Sequence, residues 1–336
     1  MDSKSSDNQN GSHEIISEHA AGSYRTILLT DIDSDDQTFR ITTRSDNEDL
    51  LGSLQRVGLI QPPLLIENSA GYSIVCGFRR IAACRQSGWT RITAGILKKS
   101  ADRFTAAQVS IADNAFQRSL NLVEISRALK LLDDFGQDDP QRRNAAAALG
   151  LPTSRSVTLD IKKICRLPWP IQEAILMNTI DLSMALELGG LDPRDAEGML
   201  WLFEQLKVGL NKQRELLLLL KEIAAREDAS IPQLLDTKFL QEILKNAEID
   251  RAVKRQKVRS YLRQRRFPAI TKAESDYDRW VKQLKLGRHI DLNPPKDFEG
   301  NTFSMTLRFH NRQGLSDLKK RLDKIMQHPA LSKILD

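Results

Sequence analysis

The sequence predicts an α+β protein that is mostly helical, and three features carry that expectation. Residues 58–88 read as an extended segment, a short hairpin, a glycine and a helix, the centre of a small α/β domain. From Asp138 onward apolar residues recur at helical spacing, with no strand signal until about residue 289. Two alternating stretches, 289–292 and 302–309, then lie between helical patterns, an α-β-β-α ending. The strands of the first domain are too few, and too often hairpin-linked, for a doubly wound sheet.

Residues 1–22 are polar and rich in Ser, Asn, Asp and Glu, the composition of a disordered arm. Residues 24–29 read as a first strand, and the acidic stretch 31–36 as a turn. Residues 46–57 predict an N-capped helix with Leu50, Leu51, Leu54 and Val57 along one face. Leu64-Leu65-Ile66 and Tyr72-Ser73-Ile74-Val75 are the two hairpin strands, joined by the turn residues Asn68-Ser69-Ala70-Gly71. Gly77 releases the backbone into a helix that runs from Arg79 to Gln86 and is closed by Gly88. A strand at 91–97 and helices over 101–116 and within 117–133 follow, with Phe104, Ala107 and Ile111 in the first core and Leu122, Ile125, Leu129 and Leu132 in the second.

A strand that ends in glycine and opens a helix leaves backbone N–H groups free at the positive end of the helix dipole. Arg79 and Arg80 stand at that end. Free amides with two fixed cations form a site for a polyanion, such as the phosphates of a nucleotide. The same pattern also describes a hairpin packed on a helix with two solvated arginines.

An alanine-rich helix over 142–150 ends at Gly150, and Pro152-Thr153-Ser154 caps a second helix over 155–165. Helix, glycine turn and capped helix form the helix-turn-helix pattern of duplex DNA binders. Its candidate contact residues are Ser154, Arg155, Ser156, Thr158 and Lys162, with Arg155 foremost because arginine pairs with guanine edges and phosphates alike. Amphipathic helices fill 171–226, where the run Leu216–Leu220 is apolar on all sides and predicts burial. Residues 251–266 are strongly basic, which fits either a solvated linker helix or sequence-blind phosphate contact. In the last module Phe303, Met305, Leu307 and Phe309 share one strand face that lacks a partner.

Composition narrows the class. The 336 residues carry 50 Lys and Arg against 44 Asp and Glu, a net charge of +6, and are 40% hydrophobic. No apolar run approaches the roughly 20 residues of a membrane span, and the N-terminus is polar, so neither anchor nor signal peptide is expected. Cys76, Cys84 and Cys165 have no metal-ligand spacing, which fits a reduced cytoplasmic setting.

Two boxes bring in a family. Gly77-Phe78-Arg79-Arg80, preceded by Gly58-Leu59-Ile60-Gln61-Pro62, resembles the G-E-R-R and G-L-x-Q-P of the ParB partition proteins. Asp113-Asn114-Ala115-Phe116-Gln117-Arg118-Ser119-Leu120-Asn121-Leu122-Val123-Glu124 is similar to that family's E-N-I-Q-R-E-D-L-N-P-I-E, without a gap. A third box, Q-P-R, is reduced to Gln37 and Arg40 at altered spacing.

The resemblance implies an arm at 1–22, a nucleotide-binding domain at 23–118, a helix-turn-helix domain at 119–230, a basic helical linker at 231–273 and a dimerisation module at 274–336. It implies a cytoplasmic, nucleoid-associated homodimer, closed by CTP with Mg2+ as a clamp on double-stranded DNA for chromosome or plasmid partition. The usual partner is a ParA-type ATPase, and no membrane is involved. Gln61, Gly77, Arg79, Arg80, Asp113, Asn114 and Arg118 become the nucleotide-binding set, with Asn114 at Mg2+. Phe78 replaces the first family glutamate and Asp113 shortens the second, so the chain is at most a slow CTPase. The alternatives are a plasmid, phage or mobile-element regulator without nucleotide gating, and a nuclease or other enzyme on the fold shared with sulfiredoxin. Sulfiredoxin chemistry is disfavoured because Phe78 and Arg79 stand where its Cys and His would be needed.

Overall fold

A computed structural model describes residues 23–98 and 101–335; the arm expected over 1–22 lies outside them. The described chain forms two compact units, one ending at Leu200 and the other beginning at Trp201. The architecture is α+β and mostly helical, as the patterns require. None of the described helices is long and apolar enough to cross a membrane.

The first unit is built on a mixed five-stranded sheet: β1 (Ser23–Leu28), β2 (Ile32–Asp33), β3 (Leu64–Asn68), β4 (Gly71–Cys76) and β5 (Arg91–Ile96), in the order β1-β5-β3-β4-β2. β3 and β4 pair antiparallel with Asn68 opposite Gly71, so the Asn-Ser-Ala-Gly turn sits where its composition placed it. Gly71 has φ +144°, and a Cβ there would collide with the Asp31 carbonyl oxygen. The two-residue β2, parallel to β4, is too short to leave a periodic signal.

Two helices pack on this sheet. α1 (Glu48–Val57) starts two residues later than expected; Asp46 rather than Asn47 accepts the first helical N–H, from Glu48 at 2.9 Å. Of its predicted apolar face Leu54 is buried and Leu50 and Leu51 pack partly against the core, while Val57, in the last turn before Gly58, stays exposed. α2 (Phe78–Gln86) buries Ile81, Ala83 and Cys84 against Leu65, Ile74, Ile92 and Ala94. Each buried Leu or Ile contributes roughly 1.5–3 kcal/mol toward holding these helices on the sheet.

α3 (Arg103–Ala115) is capped by Asp102, which accepts from the Thr105 N–H at 2.8 Å, and α4 (Leu122–Phe135) opens on a capping box between Asn121 and Glu124. Phe104, Ala107 and Ile111 are buried as their spacing requires; on α4 the buried face is Val123, Ala128, Leu129, Leu131 and Leu132, with Leu122 and Ile125 only half-buried. α5 (Asp139–Ala148), a turn through Gly150 and α6 (Arg155–Ile164) make the helix-turn-helix. Ser154 stands at the N-cap of α6 but does not cap it with its side chain; its hydroxyl instead lies 3.4 Å from that of Ser156. α6 turns Ile161 and Ile164 inward, and the Cys165 N–H donates to Ser126 of α4 at 3.0 Å. α7 (Trp169–Leu176), α8 (Leu182–Gly189) and the start of α9 (Pro193–Leu206) complete this unit.

The second unit holds α10 (Leu210–Glu227), α11 (Ile231–Leu235), α12 (Lys238–Lys245), α13 (Arg251–Arg266) and α14 (Pro268–Leu284). The Leu216–Leu220 run is not wholly buried, because Leu218 is 58% exposed. Five successive residues at about 100° per step encircle a helix, and α10 is covered on less than its full circumference. In basic α13, Arg259, Arg265 and Arg266 pair with Glu215, Glu227 and Glu222 of α10 at 2.5, 2.5 and 2.6 Å. Three of its cations are thus committed to α10, and a fourth, Arg263, lies 3.5 Å from Glu274 of α14 in the same unit.

The ending is α14, β6 (Ile290–Asn293), β7 (Ser304–Leu307), α15 (Arg312–Met326) and α16 (Pro329–Leu335). Phe303, Met305 and Leu307 are half-buried against Leu284, Leu292, Leu318 and Leu331, so the strand face that lacked a partner finds most of its cover within the module. Phe309, beyond the end of β7, is 50% exposed.

Candidate functional site

The β4–α2 turn is where the first candidate site begins. Gly77 takes φ +91°, and a Cβ there would lie 2.9 Å from Pro63 Cβ and 3.0 Å from Arg80 Nε. Only glycine lets the chain leave β4 so close to Pro63. No side chain caps α2, which leaves the N–H groups of its first turn without a partner from that source.

A cleft of about 390 Å3 opens beside this turn. All seven predicted nucleotide residues, Gln61, Gly77, Arg79, Arg80, Asp113, Asn114 and Arg118, line it, although they come from a loop, a turn and two helices. Its charge is lopsided: four arginines (Arg44, Arg79, Arg80, Arg118) against one carboxylate, Asp113. Arg79 donates to the Asp46 carbonyl through Nε at 2.8 Å and through Nη2. Arg80 donates to the carbonyls of Gln61 and Pro62 at 2.9 and 3.2 Å, and its other end is 3.5 Å from Asp113. Carbonyl oxygens orient both guanidiniums; among the described residues Arg79 carries no ion pair and remains available to an anion, whereas Arg80 shares its charge with Asp113. Gln61 takes part through its backbone.

Asp113 is also held by Gln117 Nε2 at 3.2 Å. Burial pushes its carboxyl above the usual range, and Arg80 opposes the rise. Burial, with Asp113 beside it, also holds the Cys76 thiol well above its ordinary value, so Cys76 is packing rather than a nucleophile. Asn114 donates Nδ2 to the Ser110 carbonyl at 3.0 Å, which leaves Oδ1 as the oxygen available to a cation. Among the described residues no group of three or more His, Cys, Asp or Glu is placed to hold a metal.

Arg118 is engaged more deeply. It makes a two-pronged pair with Glu124 at 2.6 and 2.8 Å, and the Glu124 side chain is fully buried. Glu124 also accepts from the Thr43 N–H at 2.9 Å and, as the box partner of Asn121, from the Asn121 N–H at 3.2 Å. Burial opposes its ionisation, but the Arg118 hydrogen bond and the two backbone N–H groups outweigh it and hold the carboxyl below its usual value.

The sequence reading missed Arg44, Thr42 and the buried Phe39 and Ile41, which line the cleft from a segment without regular structure. That segment is fixed by tertiary bonds: Ser110 donates to the Phe39 carbonyl at 2.6 Å and Arg127 to that of Thr42 at 3.1 Å. The reduced Gln37 and Arg40 box forms a local turn in which Arg40 donates to the Gln37 side chain at 3.0 Å.

The five helix-turn-helix candidates separate into two groups. Ser154, Arg155 and Ser156 are exposed at the start of α6. Thr158 and Lys162 are half-buried: the Thr158 hydroxyl donates to the Arg155 carbonyl at 3.1 Å, and Lys162 pairs with Asp133 at 2.7 Å. A second cavity, of about 210 Å3, lies between α4, α5 and α6 and is lined by Arg142, Arg143, Arg155, Thr158 and Lys162 among others.

Known proteins resemble the chain in this region. The ParB N-terminal domain profile matches residues 13–115. Over 204 residues the chain is 30% identical to a probable chromosome-partitioning protein ParB of Chlamydia pneumoniae, a match that covers 58% of this chain and 68% of that one. The chain belongs to the ParB family. The chromosome-partitioning protein Spo0J of Thermus thermophilus is 30% identical over 167 residues, spanning 49% of this family member and 58% of Spo0J. Among solved structures, Caulobacter crescentus ParB complexed with CTP-gamma-S aligns at 22% identity and a TM-score of 0.26, over 54% of this chain and 99% of that one. The same protein complexed to the centromeric parS site aligns at 20% identity and a TM-score of 0.32, over 57% and 97%.

Proposed function

We propose that this chain is a DNA-binding partition protein of the ParB type whose N-terminal cleft takes CTP with Mg2+ and whose hydrolysis of it is slow or absent. The observation that carries this reading is the cleft itself: four arginines and an uncapped helix start converge on one space. A polyphosphate meets there both oriented guanidiniums and backbone N–H groups. The donor set fits a small hard cation that shares its ligands with phosphate, because Asn114 and Asp113 supply only oxygens. When bound, the nucleotide supplies the phosphates; the chain's own residues orient and neutralise them. Arg79 and Arg80 hold fixed positive charge, and Gly77 gives the backbone room beside Pro63.

Phe78 is the strongest argument for slow turnover. It starts α2, lines the cleft and packs partly against the sheet core. A phenyl ring neither positions a water nor accepts a proton. Phe78→Glu is expected to raise CTP hydrolysis by about a hundredfold, the low side of general-base assistance. An unchanged rate of phosphate release would show that Phe78 is not what limits it.

The test of the reading is calorimetric titration with CTP, ATP, GTP and UTP in Mg2+. Selective CTP binding that Arg79→Ala weakens at least about tenfold supports the clamp, because it removes a charge-assisted contact of roughly 1.5–3 kcal/mol. No binding of any nucleotide leaves the second reading, a plasmid, phage or mobile-element DNA-binding regulator without nucleotide gating. One observation favours that reading: Arg118 is already neutralised by Glu124.

The partners proposed are double-stranded DNA through α6, a second copy through 274–336 and a ParA-type ATPase, in the cytoplasm at the nucleoid. The start of α6 supports the first, since Ser154, Arg155 and Ser156 are exposed there. For the second, Leu307 is a poor probe because it packs within its own module, whereas Phe309 does not. Phe309→Asp is expected to shift sedimentation toward monomer with the module still folded. A dimer of unchanged affinity would place the seam elsewhere.

A further inference from the structure

Leu159 is not among the buried residues that seat α6, although it lines the cavity between α4, α5 and α6. It lies in the second turn of α6 and is 55% exposed, while the residues that seat α6 are Ile161 and Ile164. At four-residue spacing it falls on one outward line with Arg155 before it and Lys163 after it, both exposed. Arg143 and Arg155 share its cavity and carry no ion pair among the described residues, whereas Asp133, Asp139 and Asp160 are each paired with a cation of their own. Lys163 is itself the partner of Asp160, so the cations without an ion pair beside Leu159 are Arg143 and Arg155, and the face is cationic on that side and apolar at Leu159.

That combination selects its occupant. The cations fit a phosphate backbone. The edges of base pairs in the major groove are hydrogen-bond donors and acceptors with one apolar exception, the C5-methyl of thymine. A leucine in the middle of a groove-facing helix gains nothing from guanine, cytosine or adenine edges and would leave their polar groups dry. We infer that Leu159 is a specificity-determining residue that packs on a thymine methyl group, and that the site read by α6 carries a thymine at the matching position. The inference rests on the reading of α6 as the groove-entering helix.

The test uses the full-length chain and random-sequence 30-base-pair duplexes. Bound sequences are selected and amplified, and the enriched duplex is then remade with deoxyuridine at one thymine at a time. Deoxyuridine keeps every hydrogen bond and removes only the methyl. The expected result is one position, or its symmetry mate, at which uracil weakens binding roughly 3- to 10-fold, the worth of a buried methyl contact. Leu159→Ala is expected to abolish the thymine-uracil difference at that position, while preferences at other positions and the salt dependence persist. As Leu159 is exposed, the variant should keep its thermal midpoint. Enrichment of a sequence in which no single uracil matters, or a Leu159→Ala protein that still discriminates, would overturn the inference and leave the DNA-reading helix standing. Failure to enrich any sequence would remove the DNA reading and the inference together.

Discussion

Replacing Glu124 by alanine is expected to destabilise the first unit by about 3–5 kcal/mol, the cost of leaving one member of a buried ion pair without its partner. At the size of this unit that is roughly a 10 °C fall in its melting temperature. The geometry explains the size. The buried carboxylate accepts two bonds from Arg118, two from Thr43 and one from Asn121. Alanine strands all of these donors at once and unties the 42–43 segment from the start of α4. The double variant Arg118→Leu with Glu124→Leu is expected to recover part of the loss, because both charges leave together while the Thr43 and Asn121 N–H groups still lack their acceptor. A single-variant midpoint within about 2 °C of the parent would show that water reaches the site and satisfies the donors.

The same group sets an acid limit. The folded value of Glu124, raised by burial but lowered further by the Arg118 hydrogen bond and the Thr43 and Asn121 N–H groups, lies below that of an ordinary glutamate. Its contribution is therefore complete above the unfolded value, near 4.3, and is lost as pH falls through the folded one. The stability difference between the parent and Glu124→Gln should hold constant from neutrality to about pH 5 and shrink below it. A difference that persists unchanged at pH 3 would assign the loss to shape rather than charge.

Much of this site was legible because its signals are local. The turn at Asn68–Gly71 and the release at Gly77 each depend on residues within four of one another, as do the Asp102 and Asn121 caps, which the sequence reading did not single out. What escaped was set by distant partners. Phe39 and Ile41 are buried without belonging to a strand, and their segment is pinned by Ser110 and Arg127. Glu124 is an instructive case: Asn121-x-x-Glu124 spells a capping box, so its N–H acceptor role was readable. Its pairing with Arg118 was not, because the chain between them must first turn. Leu218 shows the opposite limit, since a run of five leucines states that a helix is apolar but not how much of it is covered.

Gly77→Ala is the second large effect, and Gly88→Ala is its natural control. Both glycines have positive φ, +91° and +75°, so alanine suffers the left-handed penalty of about 1–2 kcal/mol at either. Their surroundings differ. A Cβ at 88 meets nothing within 4 Å, whereas at 77 it would sit 2.9 Å from Pro63 Cβ, 3.0 Å from Arg80 Nε and 3.1 Å from Pro63 Cα. Pro63 cannot yield easily, because its carbonyl holds the Gly95 N–H of β5 at 2.9 Å. Arg80 is the part that moves, and moving it gives up the Gln61 and Pro62 carbonyls that aim it into the cleft. Gly77→Ala should therefore cost at least about 3 kcal/mol, adding the strain of overpacking to the backbone term. Gly88→Ala should cost only the backbone term. Chemical denaturation of both variants measures the difference. CTP titration separates the causes further: Gly88→Ala should bind as the parent does, and Gly77→Ala should bind weakly even at temperatures where it is fully folded. Equal costs at the two positions would mean that Pro63 yields to the new methyl, and that the glycine at 77 serves only its backbone angle.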